Sequence, residues 1–368
     1  MLLPVPPGWY GQREMLKFDL HSQSSRTLRR AGDLAAAGLI APDQCQAVDQ
    51  VAQVYSVAIT PAIVGLIDPS DPGDPIARQF VPSTAELTTQ PEERSDPIGD
   101  MTHSPVRGIV HRYPDRVLLT PLLVCPVYCR FCFRRSRVGD ADGTLSEAEI
   151  DAALAYVAGR PELREVIVTG GDPLMLPPPR IAALVERVAA IPHIECMRFH
   201  SRVPVADPDR VTMALATALR PPKGADLAVW LAVHVNHPRE LSAATRAALA
   251  LLADAGLPLL SQTVLLKGVN DSVETLETLM RALVRNRVRP YYLHHPDLAP
   301  GTSHFRPSIA EGRALMRALR GRLSGVAQPT YVLDIPGGAG KVPIGPDYWD
   351  EETAEVTDPN DGKHGYPG

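Results

Sequence analysis

Three cysteines stand close together in residues 121–135, PLLVCPVYCRFCFRR: Cys125, Cys129 and Cys132, spaced C-x3-C-x2-C after the apolar run at 116–123. Three thiolates at that spacing fit on one tight loop and can face one metal centre. A closed structural zinc site wants four protein ligands, usually as two separated pairs, and no partner pair exists here. An iron–sulfur cube held by three cysteines leaves one iron open. A zinc loop and chance spacing stand beside that reading, because cysteine-rich loops point to metal without fixing which metal.

An open iron can bind a small chelating ligand through an amine and a carboxylate, which S-adenosylmethionine offers. A cluster that passes an electron into that ligand makes a carbon radical. On Cys129-Arg130-Phe131-Cys132-Phe133-Arg134-Arg135 the chain resembles the radical S-adenosylmethionine superfamily, and within it the lysine 2,3-aminomutase family. The resemblance covers most of the chain, from about residue 59 to about residue 346. It implies a [4Fe-4S] cluster on Cys125, Cys129 and Cys132, S-adenosylmethionine beside it, and pyridoxal 5'-phosphate as a further cofactor.

Other motifs carry what such an enzyme needs. Gly170-Gly171-Asp172-Pro173-Leu174 follows an apolar run, and its glycines let backbone amides approach a ligand closely. By itself it reads equally as an ordinary strand-to-helix turn; the resemblance implies contact with the amino end of S-adenosylmethionine. His234, in HVNHP, and Gln262, in SQTVLLKGVND, resemble segments of the family that line the same pocket, although polar residues at strand ends are often architectural. DIPGGAGKVP places Lys341 on a Gly-rich arm that can deliver an amine to a carbonyl carbon. There the resemblance implies the lysine that carries pyridoxal phosphate, with Ala339 where glycine is common. HRYPDR supplies Arg112 and Arg116, whose guanidinium groups can fork onto phosphate oxygens, and Tyr113, implied to lie near the cofactor ring. Arg134 resembles the residue that pairs with the substrate carboxylate, and Asp297 and Asp334 the pair that holds the distant ammonium of lysine. Two acids converging on an ammonium discriminate against a substrate that ends in a carboxylate.

Composition fits an enzyme of small molecules. The chain has 368 residues, 45% of them hydrophobic, and a net charge of −5. That length supports one large α/β domain with additions, and that balance offers no general attraction to nucleic acid or anionic membranes. Of 5 cysteines only Cys45 and Cys196 lie outside the trio, with no disulfide framework, so a reducing, cytoplasmic setting is expected. The N-terminus lacks a signal pattern, and no stretch approaches the length of a membrane span.

Several elements must position these residues. Two helical patterns fill residues 25–59, broken at Pro42, as a small N-terminal segment over 1–67. Pro- and Asp-rich text over 68–110 predicts a long connection that wraps a core or lines a site. Beyond it, short β-branched runs at 166–170, 197–200, 228–235, 259–266 and 289–295 alternate with helical stretches that start at Ser146 with a capping box to Glu149, after Pro178, and at Asp271-Ser272. About six such units predict a partial (β/α)6 TIM-like barrel of the radical S-adenosylmethionine type over 111–310, with chemistry at the carboxyl ends of the strands. Residues 311–368 then form a C-terminal segment carrying Lys341.

The resemblance implies an isomerase that moves the α-amino group of L-lysine to its β carbon. Its implied partners are free lysine, a reductant protein such as flavodoxin or ferredoxin, and further copies of the chain in a homo-oligomer. Two departures bear on this. Phe133 follows Cys132, as in shorter relatives that act on a lysine of elongation factor P, which makes that protein-bound lysine an alternative substrate. No cysteine follows Cys196, so the zinc-binding C-terminal extension of some relatives is missing. A non-enzymatic iron–sulfur sensor is the alternative of another class, and it leaves Lys341 without a role.

Overall fold

The computed structural model describes residues 26–139, 143–359 and 361–366, so the first part of the N-terminal segment lies outside the described residues. The expected N-terminal helices are present as Ala31–Ala36 and Cys45–Val54, separated by a turn at Pro42–Gln44. Leu28 pairs with Ile59, which ties this segment back on itself.

Nine strands form one sheet in sequence order: β1 Ile109–Tyr113, β2 Arg116–Leu122, β3 Glu165–Gly170, β4 Cys196–Ser201, β5 Ala228–His234, β6 Leu259–Val264, β7 Val288–His294, β8 Thr330–Ile335 and β9 Gly340–Pro343. Pairing is parallel from β2 through β8 and antiparallel for β1 with β2 and β8 with β9. The result is an open α/β barrel whose edge strands, β1 and β9, are not neighbours. Thr330–Ile335 adds a seventh parallel strand to the six expected, because the helix Ile309–Arg320 returns the chain to the edge of β7.

The crossover helices follow from pattern and caps. Ser146 accepts from the Glu149 amide, and Glu149 reaches back to the Ser146 amide, as the sequence predicts. In Val273–Arg285 the buried residues are Leu276, Leu279, Met280 and Leu283, one stripe at helical spacing, laid on a sheet whose own side chains are apolar. The strands between such helices are covered on both faces, so β3 is buried at every position after Glu165.

The connection over 68–110 is not slack. It contributes four acid or amide side chains to the interior, Asp74, Gln79, Glu86 and Asp100, each at most 3% exposed. Gln79 accepts the Arg130 amide through its backbone carbonyl at 2.8 Å. Glu86 receives Arg130 through Nε and Nη2, the latter at 2.6 Å, and also pairs with Arg135. The cysteine loop is therefore held from outside the barrel.

Candidate active site

Every candidate site residue from the sequence lines one cavity of about 450 Å³ inside the barrel, which reaches from Arg116 at the start of β2 to the cysteine loop beyond its carboxyl end: Cys125, Cys129, Cys132, Gly170, Gly171, Asp172, His234, Gln262, Arg112, Tyr113, Arg116, Arg134, Asp297, Asp334 and Lys341. Such a volume suits small molecules. Topology explains the convergence: β2, β3, β5, β6, β7 and β8 all end toward the cavity, and β9 brings Lys341 back along β8.

The cysteine loop forms one wall. Burial raises all three thiols, Cys125 well above its ordinary value and Cys132 up to about 11. Each feels the charge of at least one neighbour in the loop or beside it. Arg202 donates through Nη1 to the Cys129 sulfur at 2.9 Å and through Nη2 to Glu240 and Gln79 at 2.7 Å. That guanidinium is a fixed positive charge against the loop.

The glycine turn acts differently from its sequence reading. The Gly171 amide donates to the Leu122 carbonyl at 2.7 Å and the Asp172 amide to the Val124 carbonyl at 2.9 Å, so both are spent on the chain. What glycine provides is space: a Cβ on Gly171 would fall 2.6 Å from the Val124 nitrogen, and Gly170 adopts φ of +112°. Asp172 is also engaged internally. Its carboxylate accepts from Ser201 Oγ at 2.7 Å, the Arg202 amide at 2.6 Å and the Val203 and Leu174 amides at 3.1 Å. It clamps the turn after β3 to the turn after β4.

His234 and Gln262 are register partners at the ends of β5 and β6. His234 Nε2 is buried without a partner, and burial, then the Arg202 charge, holds the ring well below its usual pKa. A neutral imidazole facing a cavity with an unmet nitrogen is a place for a ligand's polar group. His200 Nε2 and Asp100 Oδ1 are unmet in the same way.

Opposite the cysteines, Arg116 lies over the Tyr113 ring at 3.8 Å. Arg112 donates to the Ile98 carbonyl at 2.8 Å. Tyr113 accepts the Lys341 amide on its hydroxyl at 2.7 Å, which fixes the arm that carries the lysine. Arg134 donates through Nε to Asp100 at 2.8 Å and packs on the Phe133 ring at 4.4 Å. Asp100 thus stands between Arg134 and Arg112, whose Nη2 is 4.0 Å away.

Asp334 and Lys341 face each other across the β8/β9 pair and form an ion pair. Burial opposes the Asp334 charge, but His294 and Lys341 outweigh it and hold the carboxyl well below the usual range. Asp297 moves the other way. Burial, then the Asp334 charge, pushes it up to about 7. Two acids with opposed shifts share one corner.

Sequence reasoning missed Asp100, Arg202, His200 and His294. Arg202 and His200 had a signal, since His200 ends the short run at 197–200 and Arg202 follows it. Asp100 had none, because its place depends on how the long connection folds.

Residues 119–281 match the family model described as the radical SAM superfamily, and residues 316–355 match the model described as lysine-2,3-aminomutase. The L-lysine 2,3-aminomutase of Acetoanaerobium sticklandii is 41% identical over 309 residues, covering 84% of this chain and 74% of the relative. That of Clostridium subterminale is 42% identical over 303 residues, covering 82% and 72%. The glutamate 2,3-aminomutase of Clostridioides difficile is 36% identical over 301 residues, covering 82% and 70%. With one cavity joining the cysteine loop to Lys341, and with relatives of that identity over most of its length, the chain belongs to the lysine 2,3-aminomutase family of radical S-adenosylmethionine enzymes.

Proposed function

We propose that this protein converts L-lysine to β-lysine by moving the α-amino group to the β carbon. Cys125, Cys129 and Cys132 hold a [4Fe-4S] cluster; Gly170, Gly171, Asp172, His234 and Gln262 line the place of S-adenosylmethionine, with Asp172 shaping the turn and His234 offering its free nitrogen. Lys341 holds pyridoxal 5'-phosphate, with Arg112 and Arg116 for its phosphate and Tyr113 beside its ring. When bound, the cluster and S-adenosylmethionine supply a carbon radical that removes hydrogen from the substrate, and pyridoxal phosphate supplies the carbonyl carbon through which nitrogen migrates.

The chain's own residues select and orient the substrate. Arg134, steadied by Asp100, presents its remaining N–H groups to the lysine carboxylate. Asp297 and Asp334 take the distant ammonium. Family membership alone does not choose lysine over glutamate; two acids in the corner beside Lys341 favour a cationic side chain and repel an anionic one.

The observation that carries this reading is that the three cysteines and Lys341 line the same cavity. Incubating the anaerobically reconstituted protein with L-lysine, dithionite and S-adenosylmethionine should yield β-lysine, and Lys341→Ala should yield none. A product absent from the wild type would overturn it. Five free cysteines suit a reducing, cytoplasmic setting with a flavodoxin or ferredoxin as electron donor. Among the described residues no helix is long and apolar enough to cross a membrane. Assembly into a homo-oligomer is part of the same proposal and would be read by light scattering.

A further inference from the structure

The corner around Lys341 has to seat two amines at once. Lys341 Nζ donates to Asp334 and lies 3.2 Å from His294 Nδ1, while His294 Nδ1 is 3.8 Å from Asp334 Oδ2. Lys341 and Asp334 are register partners, so their contact is built into the sheet, and His294 ends the next strand, β7. On the function proposed above, on which this inference rests, lysine enters through its α-amine and frees the amine of Lys341. The ammonium at the other end of lysine then needs Asp334 and Asp297. Asp334 cannot serve both cations at full strength, and His294 is the acceptor already within reach of Nζ.

The chemistry of His294 suits that duty. A lysine ammonium has only N–H groups to give, so Nδ1 accepts and the ring hydrogen sits on Nε2. Burial, then the Lys341 charge, lowers the imidazole to about 4, which keeps its lone pair available at neutral pH. The surrounding charges agree: Arg198 and Lys341 both act against a second positive charge on the ring, and Asp334 is the acid that faces it. Tyr292 closes the corner, its ring centroid 5.6 Å from Nζ and in edge contact with the imidazole.

We propose that His294 is the resting partner of the Lys341 amine while substrate occupies the cofactor, a positioning residue that draws this amine off Asp334 and keeps it poised to return. The exchange balances without any added oxidant or acid. The neutral α-amine of lysine would add to the carbon that is doubly bonded to a protonated Nζ, and one proton would pass from the incoming nitrogen to Nζ, which then carries two hydrogens. The bond from carbon to Nζ then breaks with its electron pair staying on Nζ, and the carbon becomes doubly bonded to the substrate nitrogen. Lys341 leaves as an amine bearing two hydrogens, one of which points at His294 Nδ1.

The test omits S-adenosylmethionine, so that only the amine exchange is read. Protein loaded with pyridoxal phosphate is mixed in a stopped-flow cell with L-lysine or with L-norleucine, which lacks the distant ammonium, and the cofactor absorbance is followed. With lysine, His294→Leu should slow the exchange about tenfold, whereas His294→Gln, which keeps an acceptor oxygen, should stay within about threefold of wild type. With norleucine, Asp334 remains free for Lys341, and His294→Leu should exchange at the wild-type rate. Equal slowing with both amines, or no slowing with lysine, overturns the role of His294 while leaving the proposed function standing. A wild-type protein whose absorbance shows no cofactor bound through Lys341, matching Lys341→Ala, overturns both.

Discussion

At the scale of single residues, the corner beside Lys341 is an electrostatic device made from two acids and two bases. Asp297 carries a proton near neutral pH because burial and Asp334 oppose its charge, whereas Asp334 stays ionised against Lys341. The folded Asp297 carboxyl, at about 7, lies above its ordinary 3.8, so the native state binds the proton more tightly than the unfolded chain. Its stabilising contribution is therefore complete below about pH 4 and is lost as pH rises through about 7. In the absence of ligand, the thermal midpoint of Asp297→Asn should gain on that of wild type between about pH 5 and about pH 8, and a constant difference would contradict the assignment. Lysine should reverse the trend in the wild type, because its ammonium restores a partner to the ionised acid. The residues on this corner were readable unequally. Asp297, Asp334 and Lys341 stood out by motif, but His294 is one of two adjacent histidines in RPYYLHH, and alternation along a strand does not say which of them faces a lysine arriving from β9.

At the scale of elements, the cysteine loop and the glycine turn are one unit. The turn after β3 lies so close to the backbone of residues 122–124 that its amides bond there and its second residue has no room for a side chain. Gly171→Ala should push the loop outward and lower the iron and sulfide retained after anaerobic reconstitution to less than about half of wild type, with the thermal midpoint falling by several degrees. Retention of full iron would show that the loop yields without loss. The strands and crossover helices were legible because their periods and caps are local: the Ser146–Glu149 box and the stripe of Leu276, Leu279, Met280 and Leu283 need no tertiary partner to be recognised. The seventh parallel strand was only half legible. Thr330–Leu333 reads as an apolar run, but its pairing with β7 as part of a strand depends on a helix that brings it there.

At the scale of the whole molecule, the connection over 68–110 and the cysteine loop hold each other. Glu86 is 1% exposed and takes both Arg130 and Arg135, while Arg135 Nη1 also donates to the carbonyls of Arg130 at 2.7 Å and Gly301 at 3.2 Å. Glu86→Gln leaves two buried guanidinium groups without their carboxylate and should cost about 3–5 kcal/mol in urea unfolding, far more than a surface ion pair would. A loss below about 1 kcal/mol would mean that water reaches the cluster of charges. Types and spacings of residues by themselves determined the three-thiol loop, the arm that carries Lys341, the arginine pair of HRYPDR and the alternation of strands and helices, because each is a pattern within a few neighbouring positions. Only the tertiary structure decided that Asp100 would stand between two arginines, that Arg202 would lie on Cys129, that Asp172 would turn inward and that His294 would meet Lys341. Those contacts join positions from separate strands and loops, and their geometry is set by strand register and packing, which no local spacing encodes.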